Sequence, residues 1–336
     1  MPTNSPSLAP STAPAAHDSG PSAALPIVAV IPTHGRPMLL GRTLDSVLAC
    51  TAPPGRAVRL IVAENGPRAG AEALVASKSS SWLTPEYRHS AAANKSAALN
   101  AVLQELPDCL MLLFDDDIRV EPSILCRYAE ASGTARGGYF YGGGVLVDYE
   151  AQAEPPPWLL AYLPVSAQGW QPSAGEYRGV TDQLAFLGCN WAAFASDVRA
   201  AGGFDHRFGP GGTSGGTGQE RAMQIRLRER GVMPRYLPHA LVWHYVPQSR
   251  CSPRWALDRT YRNAIRAGHE LRVEPGTARI AGVPWPLARR ALHQGWSVAR
   301  HWIGDDAPSR HRRLDTLMGT LGRIKGIRER RGGAGR

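Results

Sequence analysis

Short apolar segments rich in branched residues alternate with helical segments in the first third of the chain, and this alternation restricts the chain to an α/β fold. Strands are predicted at 26–32, 58–63 and 109–114, because runs of this kind bounded by turn residues are typical of buried parallel strands. Between the first two, apolar residues recur at helical spacing from Leu39 to Leu48. Strands joined by crossover helices form right-handed units around a parallel sheet.

The positive charge of the chain is concentrated near its C-terminus. The 336 residues carry a formal net charge of +10. Residues 250–336 contain 19 Lys and Arg against 7 Asp and Glu, whereas residues 1–249 contain 19 against 21. A basic groove through the main body is therefore not expected, and we expect no nucleic-acid partner.

Composition also suggests the compartment and the boundaries. Five widely spaced cysteines without a C-x-x-C pair favour a reducing cytoplasm over a disulfide framework. No apolar run approaches the roughly 18 residues that a membrane span needs. We expect a cytoplasmic protein, free or at the inner face of the membrane, with a disordered tail at 1–25, a catalytic α/β domain at 26–250 and a basic helical region at 251–336.

Three consecutive aspartates, Asp115 to Asp117, follow the strand predicted at 109–114. Ligands of open α/β sheets bind at the carboxyl ends of strands, and a divalent cation would relieve the repulsion among three carboxylates. Mg²⁺ and Mn²⁺ suit such oxygen ligands. In an extended segment, Asp115 and Asp117 would face one side and Asp116 the other. The alternative is a solvated acidic turn.

Several short motifs occur along the chain in a fixed order. In the first half they are Ile31-Pro32-Thr33-x-x-Arg36-Pro37, Glu64-Asn65-Gly66, Lys95-x-x-Ala98-x-Asn100 and the aspartate triplet. In the second half they are Gly188-Cys189-Asn190, Gly202-Gly203-Phe204-Asp205, Gln219-Glu220 and Pro238-x-Ala240-x-Val242-x-His244. Each motif is weak alone, but the ordered set resembles glycosyltransferase family 2 over residues 26–250.

The resemblance implies a GT-A fold, a Rossmann-like and mostly parallel central sheet flanked by helices, to which this chain adds a helical C-terminal appendage. It also implies an inverting, metal-dependent transfer of a sugar from a nucleotide-sugar donor to a hydroxyl acceptor, in cell-surface polysaccharide or glycolipid synthesis. The family usually has Asp where this chain has Glu64 and Glu-Asp where it has Gln219-Glu220. Both changes keep a carboxylate at the more important position.

The resemblance further assigns a donor site to residues that end strands or begin a helix. Glu64 would accept a hydrogen bond from the imide N–H of uracil or thymine, which favours a UDP or dTDP sugar. Lys95 would place a positive charge near the diphosphate, and Asp115 would contact the ribose. Ordinary strand-end, turn and helix-surface roles are the alternatives. The predicted nucleotide-binding residues are Pro32, Thr33, Glu64, Lys95, Asp115 and Asp116.

The same resemblance suggests the metal ligands and the general base. Asp117 and His244 would hold Mn²⁺ or Mg²⁺. Glu220 would take the proton of the acceptor hydroxyl, the alternative being a first-turn Glu that complements the helix dipole. The glycine-rich segment 209–218 is a candidate lid over the donor, or a surface connection.

Three other functions are alternatives to transfer. A nicotinamide-dependent oxidoreductase is disfavoured because G-x-G-x-x-G does not follow the first strand. A metal-dependent phosphohydrolase that uses the aspartate triplet and a degenerate nucleotide-sugar-binding module without catalysis both stay open from sequence alone.

The basic region 283–331 suggests a membrane partner. From residue 288 onward, apolar residues recur at three-to-four spacing, with arginines and histidines on the other side; the apolar ones are Ala288, Leu292, Trp296, Ala299 and Ile303. Such a helix can lie on an anionic membrane, which would suit an acceptor saccharide carried on a lipid. The alternative is that the apolar face packs on the catalytic domain and the basic face stays in water.

Overall fold

The computed structural model describes residues 24–133, 138–172, 185–207, 218–274 and 276–333. The predicted tail at 1–25 lies outside these residues except for its last two positions. The candidate lid at 209–218 lies outside them except for Gly218.

The main body alternates strands and helices as the sequence predicts, and the three predicted strands are confirmed within two residues as β1, β2 and β4. Its elements are β1 (Ile27–Thr33), α1 (Pro37–Leu48), β2 (Val58–Asn65), α2 (Ala71–Ala76), β3 (Pro85–Ser90), α3 (Lys95–Glu105), β4 (Leu110–Phe114), β5 (Ile118–Val120), α4 (Ile124–Ser132), β6 (Tyr139–Tyr149), α5 (Pro157–Leu160), β7 (Asn190–Phe194), α6 (Ala195–Ala200), α7 (Gln219–Glu229) and β8 (Met233–Val246).

The C-terminal region is mostly helical, as expected. It contains α8 (Pro253–Glu270), a short hairpin of β9 (Arg279–Ile280) and β10 (Val283–Pro284), α9 (Trp285–His301) and α10 (Ala307–Gly333).

Strands β1 to β8 form one mixed sheet in the order β3-β2-β1-β4-β7-β6-β8-β5. The first four strands of that order are mutually parallel. Strand β7 runs antiparallel to both β4 and β6, β8 runs parallel to β6, and β5 runs antiparallel to β8. Three of the four parallel strands, β1, β2 and β4, are those that the sequence pattern identified.

The sheet has to curl, because β4 and β5 are adjacent in sequence but four strand positions apart in the sheet. In a flat sheet, four spacings would separate them by about 19 Å. The chain from Phe114 to Ile118 spans at most about 14 Å. The sheet therefore curls, which brings the end of β8, where β5 pairs, close to the end of β4.

Both faces of the sheet are covered by helices, which explains why β1 is apolar throughout. Ile27, Ala29 and Ile31 belong to the core beneath α1, α2 and α4. Val28 and Val30 belong to the opposite core, beneath α3, α6 and α7. Every residue of β1 is buried, so a polar residue at most of its positions would lose hydration without a partner.

The C-terminal helices α8 and α10 run side by side in the same direction. Thr260 donates to Asp315 at 2.5 Å near one end, and the His269 ring nitrogen lies 3.0 Å from Glu329 near the other. Their backbones approach closely through glycines of α10, since a Cβ atom built at Gly326 would lie 2.0 Å from the Ile265 carbonyl oxygen. The ring of His311, on α10, packs between Trp158 and Tyr162 of the main body.

We expect Gly326→Ala to destabilise the C-terminal region, because the new methyl group collides with backbone rather than with a movable side chain. The overpacking cost is about 1–3 kcal/mol. The matched control is Gly319→Ala on the same helix, whose Cβ atom would meet only the Thr260 methyl group at 3.8 Å. Thermal unfolding and limited proteolysis should show a loss in the first variant alone; equal stability of both would contradict the close packing.

Candidate active site

The predicted donor-site residues gather where parallel strands of the sheet end. Thr33 is the last residue of β1, Glu64 lies one residue before the end of β2, and the aspartate triplet follows β4. Because β2, β1 and β4 are neighbours and run in one direction, their carboxyl ends open on the same side of the sheet. This is the position at which α/β proteins bind ligands.

The chain turns at Asp116 and Asp117 instead of continuing extended, so the expected alternation of side chains along the triplet is wrong. Asp115 is directed to Lys95, whereas Asp116 and Asp117 both bond to Arg36. The physical reason is the curl of the sheet, which requires a reversal of direction within the triplet.

Asp116 ties the turn to the end of β1. Thr33 Oγ1 donates to one of its oxygens at 2.6 Å, and Arg36 donates to the other. The carboxylate is fully buried, and burial raises the pKa of Asp116 to about 6 although Arg36 and Thr33 favour the ionised form. Both oxygens thus have protein partners. Its predicted contact with the nucleotide stays a prediction.

Asp117 and His244 come together through strand register. His244 pairs with Ile118 across β5 and β8, which places its Nε2 atom 3.5 Å from Asp117 Oδ1. Arg36 holds the other oxygen of Asp117 at 2.8 Å. Both Asp117 Oδ1 and His244 Nδ1 are buried and make no hydrogen bond.

This pair fits part of a divalent-cation site. A buried carboxylate oxygen that lacks a donor has an unmet need for positive charge, and an imidazole nitrogen beside it is a suitable second ligand for Mn²⁺. Within the described ranges, His, Cys, Asp and Glu side chains form no group of three or more that could hold a metal ion. A cation here would therefore need further oxygens, as Mg²⁺ takes from substrate phosphates.

Lys95 links the donor-side carboxylate to the predicted base. Its Nζ atom lies 2.7 Å from Asp115 Oδ1 and 2.9 Å from Glu220 Oε1. Burial alone would lower the pKa of Lys95, but the two carboxylates raise it above its usual range. Burial alone would raise the pKa of Asp115, but Lys95 outweighs it and the pKa of Asp115 is lowered. All three groups therefore act as one charged cluster.

The position of Glu220 depends on contacts at the starts of α3 and α7. Ser96 Oγ donates to Gln219 Oε1 at 2.8 Å, and the Gln219 amide lies 3.2 Å from Glu220 Oε1. A Cβ atom at Gly188 would lie 2.5 Å from Glu220 Cδ, so only glycine leaves room for this carboxylate. Gln219, which departs from the usual family residue, thus joins two helices through a neutral hydrogen bond.

Glu64 is buried at the end of β2 and already accepts two hydrogen bonds. The Ala69 backbone N–H donates to Oε1 at 2.8 Å, and the Tyr87 hydroxyl donates to Oε2 at 2.5 Å. Burial and the bond to Glu64 raise the pKa of Tyr87 to about 12. Pro32 is buried within β1 opposite Ala63. Glu64 and Pro32 therefore lie, together with Thr33, at the adjacent carboxyl ends of β1 and β2.

Sequence reasoning missed several residues that organise the site. Arg36 was noted only as one residue of the first motif. Ser96 looks like an ordinary residue in the first turn of a helix. Tyr87 lies on a strand that the sequence pattern did not reveal. Asn190 appeared only within the motif Gly188-Cys189-Asn190. It is fully buried, accepts a hydrogen bond from the Tyr128 hydroxyl and donates to the carbonyls of Gly144 and Ala240. Its amide joins β6, β7, β8 and α4.

Comparisons with known proteins identify a family, a curated relative and solved structures with a similar fold. Residues 28–167 match the model described as Glycosyl transferase family 2. The "Succinoglycan biosynthesis protein ExoM" of Rhizobium meliloti (strain 1021) is 28% identical over 277 residues, 79% of this chain and 80% of that protein. The mannosyltransferase PcManGT from Pyrobaculum calidifontis, solved in complex with GDP-Man and Mn²⁺, is 15% identical with a TM-score of 0.51, covering 94% of this chain and 91% of that one.

We expect Asp116→Asn to make stability less sensitive to pH. Since the pKa of Asp116 is about 6 in the folded protein and 3.8 for a free side chain, its ionisation lowers stability as the pH rises from 3.8 through 6. Between pH 5 and pH 8 the wild type should lose about 1 kcal/mol relative to the variant.

Thermal unfolding at the two pH values measures this difference. Asp45→Asn, on the exposed surface of α1, is the matched control and should track the wild type. A wild-type minus Asp116→Asn difference that is constant with pH would contradict the assignment.

Proposed function

We propose that this chain, in which residues 28–167 match the glycosyltransferase family 2 model and the fold is GT-A, transfers a hexose with inversion from a nucleotide-sugar donor to a hydroxyl acceptor. The observation that best supports this is the shared ammonium of Lys95. It lies within 3 Å of Asp115, on the donor side, and of Glu220, the proposed base. A phosphohydrolase needs no such pairing, and a module without catalysis needs no base.

Glu220 is proposed to act as the general base. It accepts the proton of the acceptor hydroxyl while the hydroxyl oxygen attacks the anomeric carbon. The bond from that carbon to the donor phosphate breaks, and its electron pair leaves with the nucleoside diphosphate. One carboxylate is enough, because an inverting displacement needs no second carboxylate as nucleophile. Lys95 and Gln219 hold the Glu220 carboxylate in place.

Asp117 and His244 are the residues proposed to hold a divalent cation, Mn²⁺ or Mg²⁺. When bound, such a cation neutralises the charge that develops on the leaving diphosphate. Arg36 contributes by holding Asp117 Oδ2, so that Oδ1 stays directed toward His244. Asp115 is proposed to accept a hydrogen bond from a ribose hydroxyl while Lys95 holds its Oδ1.

A UDP or dTDP sugar is the favoured donor. Glu64 is a buried acceptor at the end of β2, and each of its oxygens accepts one hydrogen bond within the protein. Because a carboxylate oxygen has a second lone pair, Glu64 can still accept a hydrogen bond from the imide N–H of a uracil or thymine ring.

The acceptor proposed is a saccharide hydroxyl, carried on a lipid, in the synthesis of a cell-surface polysaccharide or glycolipid. The printed name of the succinoglycan relative supports a polysaccharide product. In the described part of the chain, no helix has both the length and the apolar character required to cross a bilayer. We propose a cytoplasmic protein whose C-terminal region, within 283–331, contacts the inner face of an anionic membrane.

Replacing the proposed base should abolish transfer and leave donor binding intact. We expect Glu220→Gln to lower the transfer rate by roughly 10²- to 10⁴-fold, because the amide cannot take the proton. Affinity for the nucleotide-sugar should stay within a few-fold, measured by calorimetry. The control is Glu229→Gln at the exposed end of the same helix, which should be neutral. Near-normal turnover by Glu220→Gln would overturn the assignment.

Removing His244 should separate metal binding from nucleotide binding. We expect Mn²⁺ to strengthen UDP-sugar or dTDP-sugar binding in the wild type, and His244→Ala to lose roughly tenfold or more of that gain, since a ligand is missing. Titration of Mn²⁺ with donor, followed by calorimetry, measures the gain without turnover. His239→Ala, on the same strand but exposed, is the control. A full metal-dependent gain in His244→Ala would contradict this ligand, and a stronger response to a GDP sugar would contradict the donor.

A further inference from the structure

The apolar stripe of α9 points into solvent. Leu292 is 69% exposed, Trp296 is 66% exposed and Ile303, just past the helix end, is 96% exposed. No residue of α9 is buried. The alternative drawn from sequence, in which this stripe packs on the catalytic domain, is therefore wrong for these three side chains.

Exposed apolar side chains are concentrated in this part of the molecule. Of the twelve large apolar side chains that are well exposed in the described ranges, six lie between residues 280 and 303. Ile280 is at the tip of the β9–β10 hairpin and Trp285 begins α9. Monomeric proteins seldom leave such a patch without a partner, and tryptophan prefers the boundary between apolar and aqueous phases.

The segment that carries the patch has a single sign of charge. Residues 275–304 contain four arginines and no acidic residue. A helix advances 100° per residue, so Arg289 and Arg300 both lie on one side of the line through Leu292 and Trp296, about 40° to 60° around the helix axis from it. Beside the patch is an open groove of about 740 Å³, lined among others by Arg272, Arg289, Arg290 and His293. Such a groove can accept anionic phosphate groups.

We infer that the exposed side of α9 together with the hairpin tip inserts at the surface of an anionic bilayer, and that the adjoining groove receives lipid phosphate groups. We call this surface the docking face; it comprises Ile280, Trp285, Leu292, Trp296 and Ile303 with Arg289, Arg290 and Arg300. A second copy of the chain fits less well, because both copies would bring the same positive charge to the shared interface, where like charges repel.

The docking face is smaller than the region predicted from sequence. The basic residues at the start of α10 are engaged within the protein: Arg313 bonds Asp305 at 2.6 Å and Ser297 at 2.9 Å, and Arg310 lies over the Trp302 ring at 5.3 Å. The later part of α10 packs along α8. These contacts join α10 to α9 and α8, and we do not include α10 in the docking face.

The inference rests on the proposed function, since docking would bring the enzyme to an acceptor carried on a lipid. The two are separable because vesicle binding needs neither donor nor acceptor. Metal-dependent donor binding without vesicle binding would refute docking alone. Vesicle binding by a protein that binds no nucleotide-sugar would refute the proposed function alone.

The experiment measures co-sedimentation of the full chain with vesicles of phosphatidylcholine, with and without phosphatidylglycerol. We expect the wild type to bind the anionic vesicles. Leu292→Gln/Trp296→Gln should weaken this binding by roughly tenfold or more, since two apolar side chains no longer leave water. The matched control is Val165→Gln/Met233→Gln, which removes exposed apolar side chains elsewhere and should bind like the wild type.

A second pair of variants tests the charge. Arg289→Gln/Arg290→Gln should weaken binding to anionic vesicles several-fold and more steeply at low salt. Arg254→Gln/Arg262→Gln, which removes the same charge from α8, should not. Circular dichroism melting shows whether each variant is folded, and tryptophan fluorescence of the wild type should shift to the blue on binding.

Three results would overturn the inference. They are failure of the wild type to bind anionic vesicles, equal binding by the wild type and both docking-face variants, and a change of oligomeric state in Leu292→Gln/Trp296→Gln with vesicle binding unchanged. The last result would identify α9 as an interface between copies of the chain.

Discussion

The three-residue connection between β4 and β5 is the constraint on which the candidate site depends. It is too short to reach the far edge of a flat eight-stranded sheet, so the sheet curls and the chain reverses within the aspartate triplet. Curling returns β8 to β4 and sets His244 beside Asp117. The same reversal directs Asp115 to Lys95 and leaves Asp116 inside, bound to Thr33 and Arg36.

The second organising feature is the contact between the first turns of α3 and α7. Lys95 and Ser96 come from one helix, and Gln219 and Glu220 come from the other, more than a hundred residues later. Their bonds connect the predicted donor side of the sheet to the helix that carries the proposed base. A substitution at the start of either helix should therefore alter the position of side chains at the start of the other.

How far the sequence predicts the structure differs from residue to residue. Strands β1, β2 and β4 were predictable because most of their residues are buried on both faces, which makes the strands mostly apolar. Strand β3 was not, since it combines charged and aromatic residues and pairs only with β2. Arg36 and Tyr87 were missed because their roles arise from contacts across distant segments. The exposure of Leu292 and Trp296 was open, because spacing defines a stripe but not the direction in which it points.

The sequence by itself determined the α/β class, the carboxylates at a strand end, the ordered motifs of a glycosyltransferase and the segregation of charge to the C-terminus. These follow from local composition and spacing, which one chain displays directly. Only the tertiary structure decided that Asp117 meets His244, that Lys95 joins Asp115 to Glu220 and that the apolar side of α9 faces water. Those outcomes depend on strand register, sheet curl and helix packing, which bring together residues far apart in sequence.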